Sequence, residues 1–256
     1  MPETEPKKRI IVALDVDTID KALFLVRNLS PKVGLFKIGL QFIHSMLSSV
    51  ISPESEQEAF FNLRKIRELF ELLCGNIFWD GKFKDIPNTI AGASQAVNLI
   101  RGGIAMFNVH ASGGIQMIKE AVANKGKSKV LAVTVLTSFS AEECHFVYGA
   151  SPKAKVFEFA SYAKTAGADG LICSPQELEA LALINEYKGL LKVTPGVRPD
   201  WASKGDQKRV MTPYEAVQLG ADYVVVGRPI TNPPKEIGTP IDAAVKIAEE
   251  ISAADR

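Results

Sequence analysis

The chain has 256 residues, and its 30 basic and 29 acidic side chains give a formal net charge of only +1 at pH 7. Long-range attraction to a polyanion needs an excess of positive charge, so we do not expect nucleic acid as a partner. Hydrophobic residues make up 46% of the chain, which is enough for a folded α/β barrel or for two smaller domains. The apolar runs are much shorter than a membrane span, so we expect no membrane association either.

The three cysteines are Cys74, Cys144 and Cys173, which form no CxxC pair and lack histidines at the spacing of a zinc site. We therefore expect reduced thiols in a cytoplasmic protein. Residues 1–9 (MPETEPKKR) are polar and mix acids with bases. This composition argues against a secretory signal and predicts a flexible N-terminal segment.

Eight short runs rich in β-branched and other apolar residues predict strands. They are Ile10–Leu14, Leu35–Ile38, Asn76–Trp79, Ala105–Val109, Val130–Val135, Gly170–Cys173, Leu191–Thr194 and Tyr223–Val226. Segments with the apolar spacing of helices alternate with them. Examples are Ile19–Leu29, Phe60–Leu73, Thr89–Leu99, Gly114–Ala123, Val156–Ala166, Glu177–Ile184 and Pro213–Leu219.

This alternation predicts an α/β fold with a parallel sheet, because strands that are covered on both faces are apolar nearly throughout. Eight such units in a chain of 256 residues fit a (β/α)8 TIM barrel better than an open doubly wound sheet, which usually has about six strands. We expect one barrel domain over residues 1–256. The long irregular stretch at residues 47–58 (LSSVISPESEQE) is predicted to be an enlarged surface loop.

Charged residues end or interrupt the first three predicted strands. Asp15 ends the first strand, Lys37 lies within the second, and the third runs into Asp80, Lys82 and Asp85. Residues two apart in an extended strand share a face, so Asp80 and Lys82 are expected to lie side by side in the barrel mouth, where TIM barrels carry their chemistry. The alternative is an ordinary solvated charge run.

A second group of candidates follows the seventh and eighth strands. TPGVRP contains Pro195 and Arg198, and VGRPI contains Gly227 and Arg228. The loops after these two strands often bind phosphate in TIM barrels, with backbone N–H groups and guanidinium groups as donors. The sequence therefore predicts a phosphorylated substrate, although surface ion pairs of the two arginines are the alternative.

Two further strand ends carry weaker signals. His110 ends the fourth strand without a partner at metal-ligand spacing, which favours a hydrogen-bonded barrel residue over a catalyst. Thr137 and Ser138 end the fifth strand and suit either a ligand's polar ring edge or the capping of a loop. The glycine-rich turns match neither GxGxxG nor GxxxxGK[ST], so nothing indicates a dinucleotide cofactor or a nucleoside triphosphate.

Taken together, the motifs closely resemble those of the orotidine 5'-phosphate decarboxylase family, and they run in family order from Ile10 to about Ile230. They are Ala13–Asp15 (ALD), Phe36–Gly39 (FKIG), Asp80–Thr89 (DGKFKDIPNT), Asn108–Gly114 (NVHASGG), Val133–Ser138 (VTVLTS), Thr194–Pro199 (TPGVRP), Gly205–Pro213 (GDQKRVMTP) and Val226–Thr231 (VGRPIT).

The resemblance implies cofactor-free decarboxylation of orotidine 5'-phosphate to uridine 5'-phosphate, in de novo pyrimidine biosynthesis, by a homodimer with shared active sites. Lys37, Asp80, Lys82 and Asp85 match the family's alternating network of lysines and aspartates, with Lys82 as the proton donor and Asp85 reaching into the neighbouring subunit's site. The matching substrate contacts are Asp15 and Thr89 for the ribose, Thr89 also across the dimer, Thr137 and Ser138 for the pyrimidine, Pro195 for the pocket wall, and Arg198, Gln207, Gly227 and Arg228 for the phosphate.

Two departures and two alternatives remain. Gly81 stands where the family more often has an apolar residue, and the stretch at residues 47–58 looks longer than usual. The DxKxxD core is shared with Mg²⁺-dependent sugar-phosphate decarboxylases and aldolases of the same superfamily, such as 3-keto-gulonate-6-phosphate decarboxylase and hexulose-phosphate synthase. A non-catalytic barrel that binds a phosphorylated ligand is the other alternative.

Overall fold

In the computed structural model, which describes residues 5–202 and 211–255, eight parallel strands close into a barrel in the order β1 to β8. The strands are β1 (Ile10–Ala13), β2 (Leu35–Gly39), β3 (Ile77–Phe83), β4 (Met106–His110), β5 (Lys129–Val133), β6 (Gly170–Ile172), β7 (Leu191–Pro195) and β8 (Tyr223–Val226). The predicted (β/α)8 TIM barrel is thus confirmed, and each predicted strand overlaps an observed one.

Helices follow the strands and surround the barrel. They are α1 (Ile19–Leu29), α2 (Leu40–Ile51), α3 (Glu56–Leu73), α4 (Pro87–Asn98), α5 (Ile115–Ala123), α6 (Ala141–Tyr148), α7 (Pro152–Ala166), α8 (Leu178–Ala182), α9 (Pro213–Gln218), α10 (Arg228–Thr231) and α11 (Pro240–Ala254). None of the helices in the described part of the chain is both long and apolar enough to cross a membrane.

The apolar strands serve two buried layers at once. Within β1, Ile11 points into the barrel interior with Phe78 and Leu131, while Ile10 and Val12 pack outward against the helices. Successive side chains of a strand point to opposite faces, so a strand covered on both faces has to be apolar at every position. The polar side chains that break this rule near the carboxyl ends of the strands are therefore the informative ones.

The loop predicted at residues 47–58 is mostly helical. Residues 47–51 complete α2, residues 56–58 begin α3, and only residues 52–55 connect the two helices. The prediction was wrong because most of these polar residues belong to helices rather than to a loop. Some lie on the exposed end of α2, which buries Phe42 and Met46. Others lie at the start of α3, where the side chain of Ser55 accepts a hydrogen bond from the backbone N–H of Glu58. Two helices, α2 and α3, thus connect β2 with β3.

Residues 6–9 of the polar N-terminal segment form a helical turn that contacts the barrel. Pro6–Arg9 form a 3₁₀ helix, and the Arg9 guanidinium donates to the backbone carbonyls of Ala221 and Asp222 and pairs with Asp255. The side chain of Arg9 thus ties the start of β1 to the end of α11. Residues 1–4 lie outside the described part, so the flexible segment expected over residues 1–9 stays a prediction.

Candidate active site

Four charged side chains from the first three strands meet at the carboxyl end of the barrel. Lys37 on β2 lies between two carboxylates, with its Nζ 2.9 Å from Oδ1 of Asp15 and 3.2 Å from Oδ2 of Asp80. The other oxygen of Asp80 accepts from Nζ of Lys82 at 2.6 Å. The result is a chain of alternating charges, Asp15, Lys37, Asp80 and Lys82, in which Asp80 is only 6% exposed.

The charges hold one another in their ionised forms. Burial alone would raise the pKa of Asp80, but the neighbouring charges of Lys37 and Lys82 and the hydrogen bonds from Lys82 and Asn108 keep it below its ordinary value. Burial alone would lower the pKa of Lys37, but the charges of Asp80 and Asp15 raise it above its ordinary value. Buried ions persist only when they are paired in this way.

The segment that carries Asp80 and Lys82 is not a regular strand. Trp79 pairs with Phe107 and Phe83 pairs with Val109, so three residues of β3 lie opposite a single residue of β4, Asn108. Lys82 adopts a φ of 47°, in the left-handed region that few non-glycine residues occupy. The prediction that the two side chains share a face is right, but a bulge rather than an extended strand brings them together.

Asn108 fills the gap that this bulge leaves. Its side-chain oxygen accepts from the backbone N–H of Lys82 at 2.7 Å, and its amide nitrogen donates to Oδ1 of Asp80, also at 2.7 Å. The side chain is 1% exposed. The sequence analysis includes Asn108 in a family motif but assigns it no role, although a polar side chain within the apolar run of β4 was a usable signal.

The charged group faces a cavity of about 520 Å³, which is within the usual size range of small-ligand sites. The opposite side of the cavity, after β7 and β8, contains Pro195, Arg198, Gly227 and Arg228. Arg198 is 6% exposed, and its backbone N–H is held at 2.9 Å by the carbonyl of Met211. The strand order places β7 and β8 across the barrel from β3, so Arg198 and Arg228 line the cavity on the side away from Asp80 and Lys82.

Between these two polar ends the wall is largely apolar. It comprises Val133, Val135, Leu136, Ile172 and Cys173 from the β5 and β6 ends, with Ala13, Phe78 and Val225 beneath. Thr137 lies at its rim, and Gln41, from the first turn of α2, faces it. Sequence reasoning did not single out Gln41, and it has no spacing signal that would have shown it. The cavity therefore combines charged residues with a largely apolar wall.

The other predicted site residues lie elsewhere. Asp85 and Thr89 are exposed on the segment that leads from β3 into α4, and Ser138 is exposed beyond Thr137; none of the three lines the cavity of the single chain. Gln207 lies outside the described residues. The structure therefore brings together Asp15, Lys37, Asp80, Lys82, Thr137, Pro195, Arg198, Gly227 and Arg228.

Two further observations bear on the chemistry of the site. Within residues 5–202 and 211–255, the structure has no group of three or more His, Cys, Asp or Glu side chains that could hold a metal ion. His110 ends β4, and burial together with the charges of Lys84 and Lys82 lowers its pKa below the ordinary value. The neutral form of this imidazole is therefore favoured, and the ring lies beside the charged group rather than in it.

The chain is similar to known proteins over nearly its whole length. A family model described as "Orotidine 5'-phosphate decarboxylase / HUMPS family" matches residues 8–237. The chain is 41% identical over 261 residues to orotidine 5'-phosphate decarboxylase of Syntrophomonas wolfei, which covers 96% of this chain and 99% of that protein. The enzyme of Heliobacterium modesticaldum is 40% identical, with 97% of each chain covered. The crystal structure of the enzyme from Lactobacillus acidophilus superposes with a TM-score of 0.69 at 33% identity, covering 94% of this chain and 98% of that one.

Proposed function

Because this chain belongs to the orotidine 5'-phosphate decarboxylase / HUMPS family, we propose that it is a carboxy-lyase that converts orotidine 5'-phosphate to uridine 5'-phosphate and CO₂, in pyrimidine biosynthesis. The observation that carries the proposal is the cavity with two guanidinium groups at one end and the alternating Lys37, Asp80 and Lys82 at the other. The relatives named orotidine 5'-phosphate decarboxylase support this reaction over the sugar-phosphate chemistry described above as the alternative.

The reaction requires the enzyme to stabilise negative charge without help from the substrate. When the bond between C6 and the carboxylate breaks, the electron pair stays on C6 in the plane of the ring, where no adjacent π system can delocalise it. A fixed positive charge near C6 is then the main means of lowering the barrier. Lys82 supplies that charge, and its ammonium transfers a proton to C6 to form the new C–H bond.

Asp80 and Lys37 keep this ammonium in place. Asp80 accepts from Lys82 at 2.6 Å and is itself fixed by Lys37 and Asn108, so Lys82 has little freedom to turn toward solvent. Preorganised charges of this kind need no rearrangement during the reaction, which is what makes them effective. Asp15, at the open end of the charge chain and half-exposed, is placed to accept from a ribose hydroxyl.

The two arginines bind the phosphate group, at the opposite end of the cavity. Charge-assisted and bidentate contacts from guanidinium to phosphate are among the strongest hydrogen bonds that side chains form. Contacts remote from C6 hold the ring against Lys82 and so contribute to the rate as well as to affinity. Thr137 contacts the pyrimidine. Ser138, which lies beyond the cavity of the single chain, and Gln207, outside the described residues, are the remaining proposed contacts, to the pyrimidine and to the phosphate in that order.

The experiment is a continuous ultraviolet assay of orotidine 5'-phosphate with the purified protein in the presence of EDTA. We expect substrate loss with formation of uridine 5'-phosphate, and no turnover in Lys82→Ala. The matched control is Lys127→Ala, which removes an exposed lysine in the α5–β5 connection and should retain full activity. No loss of orotidine 5'-phosphate, together with Mg²⁺-dependent turnover of a sugar phosphate such as 3-keto-gulonate 6-phosphate, would favour a sugar-phosphate enzyme. Binding of orotidine 5'-phosphate without turnover would favour a non-catalytic barrel.

We also propose that the active sites are shared within a homodimer. Asp85 and Thr89 are exposed and lie outside the chain's own cavity, next to Ile86, an apolar residue that is 66% exposed. An exposed apolar side chain beside polar residues of this kind suits a contact with a second copy. In that arrangement Asp85 and Thr89 complete the neighbour's site.

Complementation tests this arrangement directly. We expect Lys82→Ala and Asp85→Ala proteins each to be inactive, and random subunit exchange of equal amounts makes about half of the dimers mixed. Each mixed dimer then has one site with both lesions and one intact site, so about a quarter of all sites should recover. If Asp85 acts within its own chain, every site keeps one lesion, and verified subunit exchange restores no activity.

A further inference from the structure

We propose that Asn108 is a positioning residue that fixes Lys82 and Asp80 in their reactive arrangement. This inference rests on the proposed function, because it concerns the placement of the proton donor. The observations that carry it are the position of Asn108 in the barrel, its two hydrogen bonds and the backbone conformation of Lys82.

The position is singular within the β3–β4 pair. Residues 80–82 of β3 lie opposite Asn108 alone, because the register shifts between Trp79 and Phe83. A bulge of this kind leaves extra residues of the bulged strand without backbone partners on the neighbouring strand. The side-chain oxygen of Asn108 takes the place of a backbone carbonyl by accepting from the backbone N–H of Lys82 at 2.7 Å.

The two hydrogen bonds define the orientation of the amide. The backbone N–H of Lys82 can only donate, and the ionised carboxylate of Asp80 can only accept. Turning the amide by 180° would place two donors together and two acceptors together. One side chain with a donor and an acceptor on the same carbon thus links the backbone of one reactive residue to the side chain of the other.

The conformation of Lys82 gives this link its importance. A non-glycine residue with a φ of 47° is strained and persists only where its surroundings hold it. The partly buried hydrogen bond that the backbone N–H of Lys82 donates to Asn108 stabilises that conformation, which directs the side chain of Lys82 toward Asp80 and the cavity. Without it, the segment can relax toward an extended strand and move the ammonium away from C6.

The first test is Asn108→Ala, measured per folded molecule. We expect kcat to fall at least tenfold while KM changes less than threefold, because the phosphate and ribose contacts come from other strands. The matched control is Asn98→Ala, which removes a partly buried asparagine that donates to Ser94 and Asn124 and accepts from Ser128. This variant is expected to lose stability but to keep wild-type kcat, so a merely structural role for Asn108 is distinguishable.

The second test is Asn108→Asp, which has nearly the same shape. The new carboxylate still accepts from the backbone N–H of Lys82, but its other oxygen faces an oxygen of Asp80. The two carboxyl groups can form a hydrogen bond only when they share one proton, which then replaces the N–H that the wild-type amide donates to Asp80. The charged or titratable groups that face this pair are Lys37 on β2, Lys82 on β3 and His110 on β4. We expect kcat of this variant to fall as pH rises through the titration of the pair, a step that the wild type lacks.

Amide hydrogen exchange separates this inference from the proposed function. The N–H of Lys82 should be protected in the wild type and exchange faster in Asn108→Ala, whatever reaction the protein catalyses. Wild-type kcat in Asn108→Ala overturns the positioning role, and so does unchanged protection of the Lys82 amide. A wild-type protein with no decarboxylase activity overturns the proposed function instead, and the exchange result then decides the role of Asn108.

Discussion

Replacing Asp80 with asparagine tests how far the site's charges depend on one another. Asp80→Asn keeps the shape of the side chain but removes the negative charge that lies 3.2 Å from Lys37 and 2.6 Å from Lys82. Lys37 would keep Asp15 as its only charged partner among the contacts described above. The variant therefore leaves two ammonium groups close together with too little negative charge to balance them.

The magnitude follows from burial. Removing one partner of a buried ion pair typically costs about 3–5 kcal/mol, and the 30% exposure of the Lys82 side chain places this case near about 3 kcal/mol. For a protein of this size we therefore expect Tm to fall by about 6–12 °C at pH 7.

The loss should depend on pH in a defined way. The folded-state pKa of Asp80 is below its unfolded value, so its contribution is present above the unfolded pKa and is lost as pH falls through the folded pKa. The folded-state pKa of Lys37 is raised, so the stability that Lys37 contributes is present below its unfolded-state pKa and is lost as pH rises through its folded-state pKa. The difference between variant and wild type should thus be largest near neutral pH and shrink in acid.

The assay is chemical denaturation of both proteins at several pH values, with Asp17→Asn as the control. Asp17 pairs with Lys21 on the surface, where both side chains are mostly exposed, so this variant should unfold almost as the wild type does. An Asp80→Asn protein as stable as the wild type at pH 7, or a difference that stays constant into acid, would refute the reasoning.

Three further predictions concern other parts of the molecule. Arg228→Ala should raise KM for the phosphorylated substrate roughly 10- to 150-fold, which corresponds to about 1.5–3 kcal/mol. The control is Arg101→Ala, which removes one partner of an exposed ion pair with Glu71. It should leave KM unchanged in the same steady-state assay. Burial and the charge of Asp200 raise the pKa of Glu250 to about 7. The stability that this group contributes is therefore lost as pH rises through that value. Glu250→Gln should raise the free energy of unfolding by about 1 kcal/mol over the wild type at pH 8.5 and leave it unchanged at pH 4. Equal differences in denaturation experiments at the two pH values would contradict this. A Cβ at residue 81 would lie 2.6 Å from the ring of Phe83, so Gly81→Ala should destabilise the protein by about 1–3 kcal/mol, and an unchanged Tm would show that the ring moves freely.

The sequence predicted the barrel well because each strand has to be apolar on both faces. A run such as Ile10–Leu14 cannot be an amphipathic surface strand, and the strand-ending Asp15 and Arg228 are conspicuous against such runs. Both line the cavity, as do Lys37, Asp80 and Lys82. The alternation of strands and helices thus allowed both the fold and the charged residues of the cavity lining to be predicted.

The features that escaped prediction depend on contacts between distant residues. The pairing of Asn108 with the bulge at residues 80–82 requires the register between β3 and β4, which local patterns do not encode. Gly81 illustrates the same limit: its missing side chain is intelligible only once the ring of Phe83 is seen to fill that space. The stretch at residues 47–58 was misjudged because polar composition alone does not separate an exposed helix end from a loop.

The most direct measurement of the central claim is decarboxylation of orotidine 5'-phosphate in D₂O by EDTA-treated enzyme, with the product examined by NMR at C6. Transfer of a deuteron from the Lys82 ammonium predicts uridine 5'-phosphate with one deuterium at C6 and one CO₂ released for each substrate consumed, and no product with Lys82→Ala. Product formation by Lys82→Ala at the wild-type rate, or no conversion of this substrate by the wild-type protein, would contradict the account.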